Sequence, residues 1–265
     1  MRYRNKKVIL LAAVLMICGL ACGRKQEAET STEAVTTEAA AEPETEAPAP
    51  MAPVLEAVDL TMAERAFAMK TVSEIHVEGN IASGDYQIDS DVSVLQGDDP
   101  EDLQMTAVSS SDMDDIVTKV WYKDGIYHTD NGEEATEEEK NPEEVLELVE
   151  NITIMVKEAA GVIDEVETRT LDDGSTQYSY EVPDYIVEDY MEEASAQLDI
   201  EEMKSADLEV DTASFTTVVG KDGTVTSQKL EMEGKAHVAI LAIPIRLEVT
   251  AEFSPLAVEE LEFPE

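Results

Sequence analysis

Residues 217–236, TVVGKDGTVTSQKLEMEGKA, are the stretch that decides the predicted fold. Apolar and polar residues alternate on both sides of Asp222-Gly223, and an Asp-Gly dipeptide suits a tight turn with positive φ. This pattern is typical of two antiparallel strands joined by a short turn. The last third of the chain is therefore predicted to be β, with strands at 208–219, 224–233 and 236–253.

A second hairpin is predicted at residues 116–129, with its turn at Lys123-Asp124-Gly125. Alternating apolar residues also predict strands at 75–81, 86–94 and 103–108, and further strands at 162–170 and 176–182. The acidic segment GEEATEEEK, residues 132–140, is interpreted as a connector between elements.

Three helices are predicted from their start signals. Thr61-Met62-Ala63-Glu64 has the form of a capping box, which predicts a short helix that continues to about Lys70. Asn141-Pro142 followed by two acids predicts a second helix with one apolar stripe, and Pro183 opens a third.

These elements predict an α+β fold: a strongly curved antiparallel sheet, or half-barrel, with a few helices on its concave face. The folded domain is expected to span residues 58–265, which is long enough for one sizeable core. A curved sheet covered by so few helices can leave an apolar space between its layers. Apolar side chains expected to line that space are Val149, Ile152, Ile186, Tyr190, Ile240 and Leu241.

Residues 1–21 have the composition of an export signal. They carry four basic residues and no acid, followed by the apolar run 8–17, which is too short to span a bilayer. Gly19-Leu20-Ala21-Cys22 resembles the lipobox of bacterial lipoproteins, although the family has Leu at −3 and this chain has Gly19 there. The resemblance implies that Cys22 carries fatty acyl chains such as palmitate, which would anchor the protein to a membrane without spanning it.

Residues 22–57 are predicted to form a disordered tether behind that anchor. The segment is rich in Glu, Thr, Ala and Pro and offers almost nothing to bury. As a coil it would reach roughly 30 Å or more from the membrane.

Composition excludes several classes of function. The formal net charge of −42 argues against binding to nucleic acid or to an anionic lipid surface. Removal of the signal would leave one cysteine and hence no disulfide. No catalytic, metal or cofactor motif is found, so no enzyme activity is expected. Weak calcium binding by the Asp-rich segments 96–99 and 111–115 stays open, since neither has EF-hand spacing.

The order of elements resembles the LolA/LolB-like lipoprotein-carrier fold and the mycobacterial LppX/LprG-type lipoproteins, and also lipoproteins of Gram-positive bacteria with that architecture. The residues that carry the resemblance are IHVEGNI (75–81), VWYKDGIYHTD (120–130), TVVGKDGTVTSQKLEMEGKA (217–236) and LEVTAEFSPL (247–256). These are patterns of fold, since family members share no site motif with this chain.

Two functions follow as expectations. The resemblance implies a lipid-anchored protein on the extracytoplasmic face of a bacterial plasma membrane that holds a lipid or another apolar ligand under the half-barrel. The alternative is a cell-surface interaction or structural module of the same fold with a filled core and a protein partner of unknown kind.

Overall fold

The computed structural model describes residues 50–78, 83–97, 99–112, 117–132, 134–188, 206–238, 241–258 and 260–264. Two α-helices are bounded within these ranges, α1 (Ala52–Met62) and α2 (Pro142–Ala159), together with a short 3-10 helix, Pro100–Asp102. The strands are β1 (Ala66–Val77), β2 (Gly84–Leu95), β3 (Gln104–Ser111), β4 (Val117–Lys123), β5 (Ile126–Asp130), β6 (Ala135–Glu139), β7 (Glu167–Thr170), β8 (Thr176–Glu181), β9 (Ala206–Val219), β10 (Val225–Val238) and β11 (Leu241–Pro255).

The described strands form a single antiparallel sheet in the order β6-β5-β4-β3-β2-β1-β11-β10-β9-β8-β7. Two runs of sequential neighbours, β1 to β6 and β7 to β11, meet where β1 pairs with β11. Phe67 lies opposite Pro255 at one end of that pair, and Val77 lies opposite Ile245 at the other. The prediction of an antiparallel sheet accompanied by few helices is confirmed.

One face of this sheet is buried and is called the inner face. In β1 the residues at odd positions from Phe67 to Val77 are buried, and those between them are partly or fully exposed. A flat sheet of eleven strands would be about 48 Å wide, whereas a helix with its side chains measures about 10–12 Å across. Inner-face residues are nevertheless buried from Tyr127 on β5 to Tyr180 on β8, which indicates that the sheet curves around its helices. The sheet is open, with β6 and β7 as its edges.

The predicted turns follow from backbone geometry that glycine makes accessible. Asp124 and Gly125, between β4 and β5, have φ values of 54° and 81°. Gly223, before β10, has a φ of 88°. Both Asp-Gly turns lie where the sequence places them.

The predicted start of the first helix is wrong. Thr61 is the second-last residue of α1 instead of its amino-terminal cap, and Phe67 and Met69 belong to β1. The helix begins at Ala52 with Pro53 in its first turn, and Val54 and Ala57 are buried in the core. Residues 52–57, which were assigned to the tether, are therefore part of the folded domain. The rest of the tether, the signal and Cys22 lie outside the described residues.

Two further predictions need correction. The segment 132–140, predicted to be a connector, contains strand β6. This strand pairs with β5, and Glu138 lies opposite Tyr127. The strand predicted at 236–253 is interrupted, because β10 ends at Val238 and β11 begins at Leu241, and the two pair with each other. His237-Val238 and Leu241 to Ile243 therefore belong to different strands, and Ala242 is exposed.

The second predicted helix is confirmed at its start. The side chain of Asn141 accepts a hydrogen bond from the Glu144 amide at 2.9 Å, and the Glu144 carboxylate accepts from the Asn141 amide at 3.0 Å. Of the third predicted helix, residues 184–188 are helical, and the remainder lies outside the described residues.

Candidate functional site

The inner face, with the helices over it, is the candidate site. Of the predicted cavity residues, Val149 and Ile186 are 7% and 6% exposed and belong to the same continuous apolar cluster. Tyr190 and Ile240, and the side chains of Ile152 and Leu241, lie outside the described residues. The structure thus places two predicted residues in one core and leaves the position of the others untested.

Helix α1 lies against the sheet with its contact surface filled. It contacts β9, β10 and α2, and its residues Met51, Val54 and Val58 have no exposed surface. Beneath α1, the space between the layers is therefore occupied by side chains.

Two polar side chains fix the carboxyl end of α1 to the sheet. The hydroxyl of Thr61 donates to the Ala57 carbonyl at 2.7 Å and accepts from the Val225 amide, also at 2.7 Å. The amide of Gln96 donates to the Met62 carbonyl at 2.8 Å. The Met62 carbonyl has no partner within the helix, so the Gln96 bond satisfies it, and the Thr61 hydroxyl ties the same end of α1 to β10.

Two hydrogen bonds join residues 182–188, which include the described start of the third helix, to β9. The Val182 amide donates to the Ala213 carbonyl at 3.0 Å, and the Val210 amide donates to the Glu188 carboxylate at 3.0 Å. These bonds hold Ile186 and Val187 in the core, next to the inner face of β9.

The inner face also carries polar residues that the sequence-based prediction did not identify. Tyr180 on β8 is buried and stacks on Phe215 of β9, with 5.7 Å between the ring centroids. Burial raises the pKa of Tyr180 far above its usual value, so its phenol stays neutral. Gln228 and Thr217 are also buried there. Alternation with Leu230 and with Phe215 could have placed both side chains inward from the sequence.

The opposite, outer face of the sheet is polar and bears shallow grooves. One groove of about 610 Å³ is lined by residues of β8 to β11, among them Glu181, Glu231, Glu233 and Arg246. A second groove, of about 450 Å³, shares Arg246 and contains His76. The guanidinium of Arg246 pairs with Glu233 at 2.7 Å.

His76 on this face is held by two carboxylates. Its Nδ1 lies 2.5 Å from Asp85, and its Nε2 lies 3.0 Å from Glu78. Hydrogen bonds to Asp85 and then to Glu78 raise the pKa of His76 above 6.5. The three side chains are well exposed, so this arrangement is a solvated pairing that contributes little to stability.

Within the described ranges, no group of three or more His, Cys, Asp or Glu is arranged to hold a metal ion. His128 stacks on Trp121, with a centroid distance of 4.8 Å, which fits packing between paired strands. Among the helices in the described part of the chain, none is long and apolar enough to cross a membrane.

No family model matches the chain, and no curated protein matches it. The S-type phycobiliprotein lyase CPES from Guillardia theta is 9% identical over 74% of this chain and 90% of its own, with a TM-score of 0.25. A DUF1329 family protein from Desulfovibrio piger is 9% identical over 78% and 91%, with a TM-score of 0.27. A β-barrel-like DUF1849 protein from Brucella abortus is 10% identical over 72% and 100%, with a TM-score of 0.22. These scores are too low to support an argument about fold or function.

Proposed function

We propose that this chain is a lipid-anchored protein of the extracytoplasmic face of a bacterial plasma membrane, and that it binds a lipid or another apolar ligand between its sheet and its helices. The observation that carries the proposal is the inner face. It is apolar over most of its width, it runs from β1 outward to both halves of the sheet, and two helices, α1 and α2, contribute side chains to the same core.

The finer geometry of the proposal is a half-barrel of the lipoprotein-carrier type. Burial of inner-face residues from β5 to β8 supports a strong curve, because two helices cannot cover a flat sheet of this width. In such a half-barrel the ligand would lie on the concave face, with its apolar part in contact with the apolar side chains there.

The filled contact under α1 narrows the place where a ligand could lie. Since α1 covers the sheet where Thr61 meets Val225, we assign the ligand to the rest of the inner face, towards α2 and residues 184–188. Val149 and Ile186 are its described wall residues, and Ile152, Tyr190, Ile240 and Leu241 are retained as further candidates.

The same filled contact supports the second candidate function, an interaction or structural module without a ligand. In that case the packing seen beneath Val54 and Val58 would continue across the whole inner face. Both functions keep the anchor at Cys22, and neither requires any catalytic residue.

The test is native mass spectrometry of the chain after mild extraction, with organic extraction of the same sample to identify bound lipid. We expect a lipid adduct in wild type and less of it in Ile186→Phe, because the larger ring would occupy ligand space. Val162→Phe is the matched control, since Val162 is 47% exposed. A ligand-free mass in repeated wild-type preparations would contradict the proposal and favour the filled module.

A further inference from the structure

One row of inner-face residues runs across six strands and is mostly polar; we name it the polar row. Each of its residues lies directly opposite the next one on the neighbouring strand, in the order β3, β2, β1, β11, β10 and β9. Its members are at most 4% exposed and are Ser109, Ser90, Thr71, Ala251, Gln228 and Thr217.

The neighbouring rows differ in chemistry from the polar row. On one side the aligned residues are Ala107, Val92, Met69 and Phe253, all apolar and buried. On the other side the aligned residues are apolar apart from Ser111 and Ser73, with Ile88, Val249, Leu230 and Phe215. A polar line between apolar rows is what an amphiphilic molecule with one polar group would match.

The two ends of the polar row are not equivalent. At the β2–β3 end, the hydroxyls of Ser90 and Ser109 bond to each other. At the β9–β10 end, both polar atoms of the Gln228 amide and the hydroxyl of Thr217 are buried without a hydrogen-bond partner. The phenol oxygen of Tyr180, on β8, likewise makes no hydrogen bond of normal geometry, although it lies close enough to the Thr217 hydroxyl to interact with it.

These three side chains form one neighbourhood. Gln228 and Thr217 are direct cross-strand partners. Tyr180 lies opposite Phe215, two residues from Thr217 on the same face of β9. Four polar atoms without a hydrogen bond of normal geometry therefore lie close together in the core, although most buried polar groups in proteins have a partner.

The chemistry of the missing partner can be read from these groups. The Gln228 amide offers two donors and one acceptor, and each hydroxyl can donate one bond and accept others. Among the described residues, none that is buried is charged. Because an unpaired charge is very costly to bury, the partner must be uncharged. An ester or amide carbonyl with a nearby hydroxyl satisfies this pattern, whereas a carboxylate or a phosphate would find no cation.

We infer that Gln228, Thr217 and Tyr180 bind the uncharged polar group of an acylated ligand, namely the ester and hydroxyl groups of a neutral glycerolipid, while its acyl chain lies on the adjacent apolar rows. This inference rests on the proposed function, because it names the ligand class of the same inner-face site.

The test compares three eight-carbon probes by equilibrium dialysis against the full chain at neutral pH: 1-monooctanoylglycerol, octanoate and octane. Wild type should bind monooctanoylglycerol about tenfold or more tightly than either of the others, as expected for a site built to hydrogen-bond its ligand. Gln228→Met and Thr217→Val should abolish this preference and leave octane binding unchanged. Gln87→Met is the matched control, since Gln87 is exposed on β2 and its side-chain amide donates to the Asp89 carboxylate.

The outcomes separate the inference from the function it rests on. If no probe binds, both fail. If octane binds but wild type shows no preference for the glyceride, the apolar site stands and the inference is overturned. The inference also fails if Gln228→Met keeps the preference for monooctanoylglycerol and unfolds at a higher midpoint than wild type. That result would mean that the wild-type Gln228 amide contacts only ordered water and not the ligand. Should Gln228→Met not fold, the wild-type preference and its loss in Thr217→Val decide the question.

Discussion

Thr61 shows how one side chain can join two distant parts of this chain. The residue is 3% exposed, and its hydroxyl bridges the last turn of α1 to the first residue of β10. The sequence TMAE around it matches a capping box. The residue does satisfy backbone groups, but at the carboxyl end of a helix, because Phe67 and Met69 alternate into β1 immediately afterwards.

Thr61→Val should destabilise the fold. Valine has nearly the same shape, so the buried Val225 amide would lose its acceptor, at a cost of about 1–3 kcal/mol. Urea unfolding monitored by circular dichroism measures the difference in free energy of unfolding. Thr61→Ser is the control, since it keeps the hydroxyl, and its loss should be the smaller of the two. Equal stability of Thr61→Val and wild type would show that the bridge contributes nothing.

Inward orientation of Gln228 could be predicted from the sequence, whereas its lack of a partner could not. Alternation with Leu230 and Met232 places the side chain on the inner face. Its neighbours, however, come from β9 and β11 and depend on strand register. A single sequence contains no direct information on that register, so the polar row becomes visible only in the folded sheet.

The pairing of β1, β11 and β10 brings like charges together on the outer face. Glu74 lies opposite Glu248, which in turn lies opposite Glu231. Lys229 pairs with Glu231 at 3.0 Å and with Glu248 at 3.1 Å. In the described part of the chain no basic side chain pairs with Glu74. Carboxylates that face each other across strands repel, so this row opposes the pairing that joins the two halves of the sheet.

Glu74→Gln should therefore stabilise the protein by about 0.2–1 kcal/mol at low salt. The gain should shrink at high salt, because counterions screen exposed charges. Thermal unfolding at both salt concentrations measures the effect. Glu252→Gln provides the control, since Glu252 lies opposite Lys70 on the same strand pair and its loss should bring no gain. A Glu74 variant that is no more stable than wild type at low salt would refute the argument.

Elements with local signals were predictable, and elements defined by distant partners were not. The β4–β5 hairpin needs only its Asp-Gly turn, and α2 needs only the Asn141 cap and its apolar stripe. β6 reads ATEEE, has no alternation, and is a strand because β5 offers it an edge. Likewise α1 gains its place from burial against β9 and β10, in a segment whose composition is close to that of the tether.

The proposed anchor makes a prediction about the molecule as a whole. Cys22→Ser should move the protein from the membrane fraction to the soluble fraction of cells, because the described chain offers no helix able to span a bilayer. Mass spectrometry of the wild-type amino terminus should find the attached acyl chains. Cys18→Ser, the control, should stay in the membrane fraction. Membrane retention of the Cys22 variant would refute lipidation at this residue.

The pairing of β1 with β11 has a consequence for how the protein is made. All other neighbouring strands in the sheet are also neighbours in sequence, so they can associate as the chain emerges from a ribosome or an export channel. β1 is synthesised first among the strands and its partner last, and at ~5–20 residues per second the delay is about ten seconds or more. Throughout that interval the middle of the sheet is an uncovered edge, so nascent chains should depend most on a chaperone there.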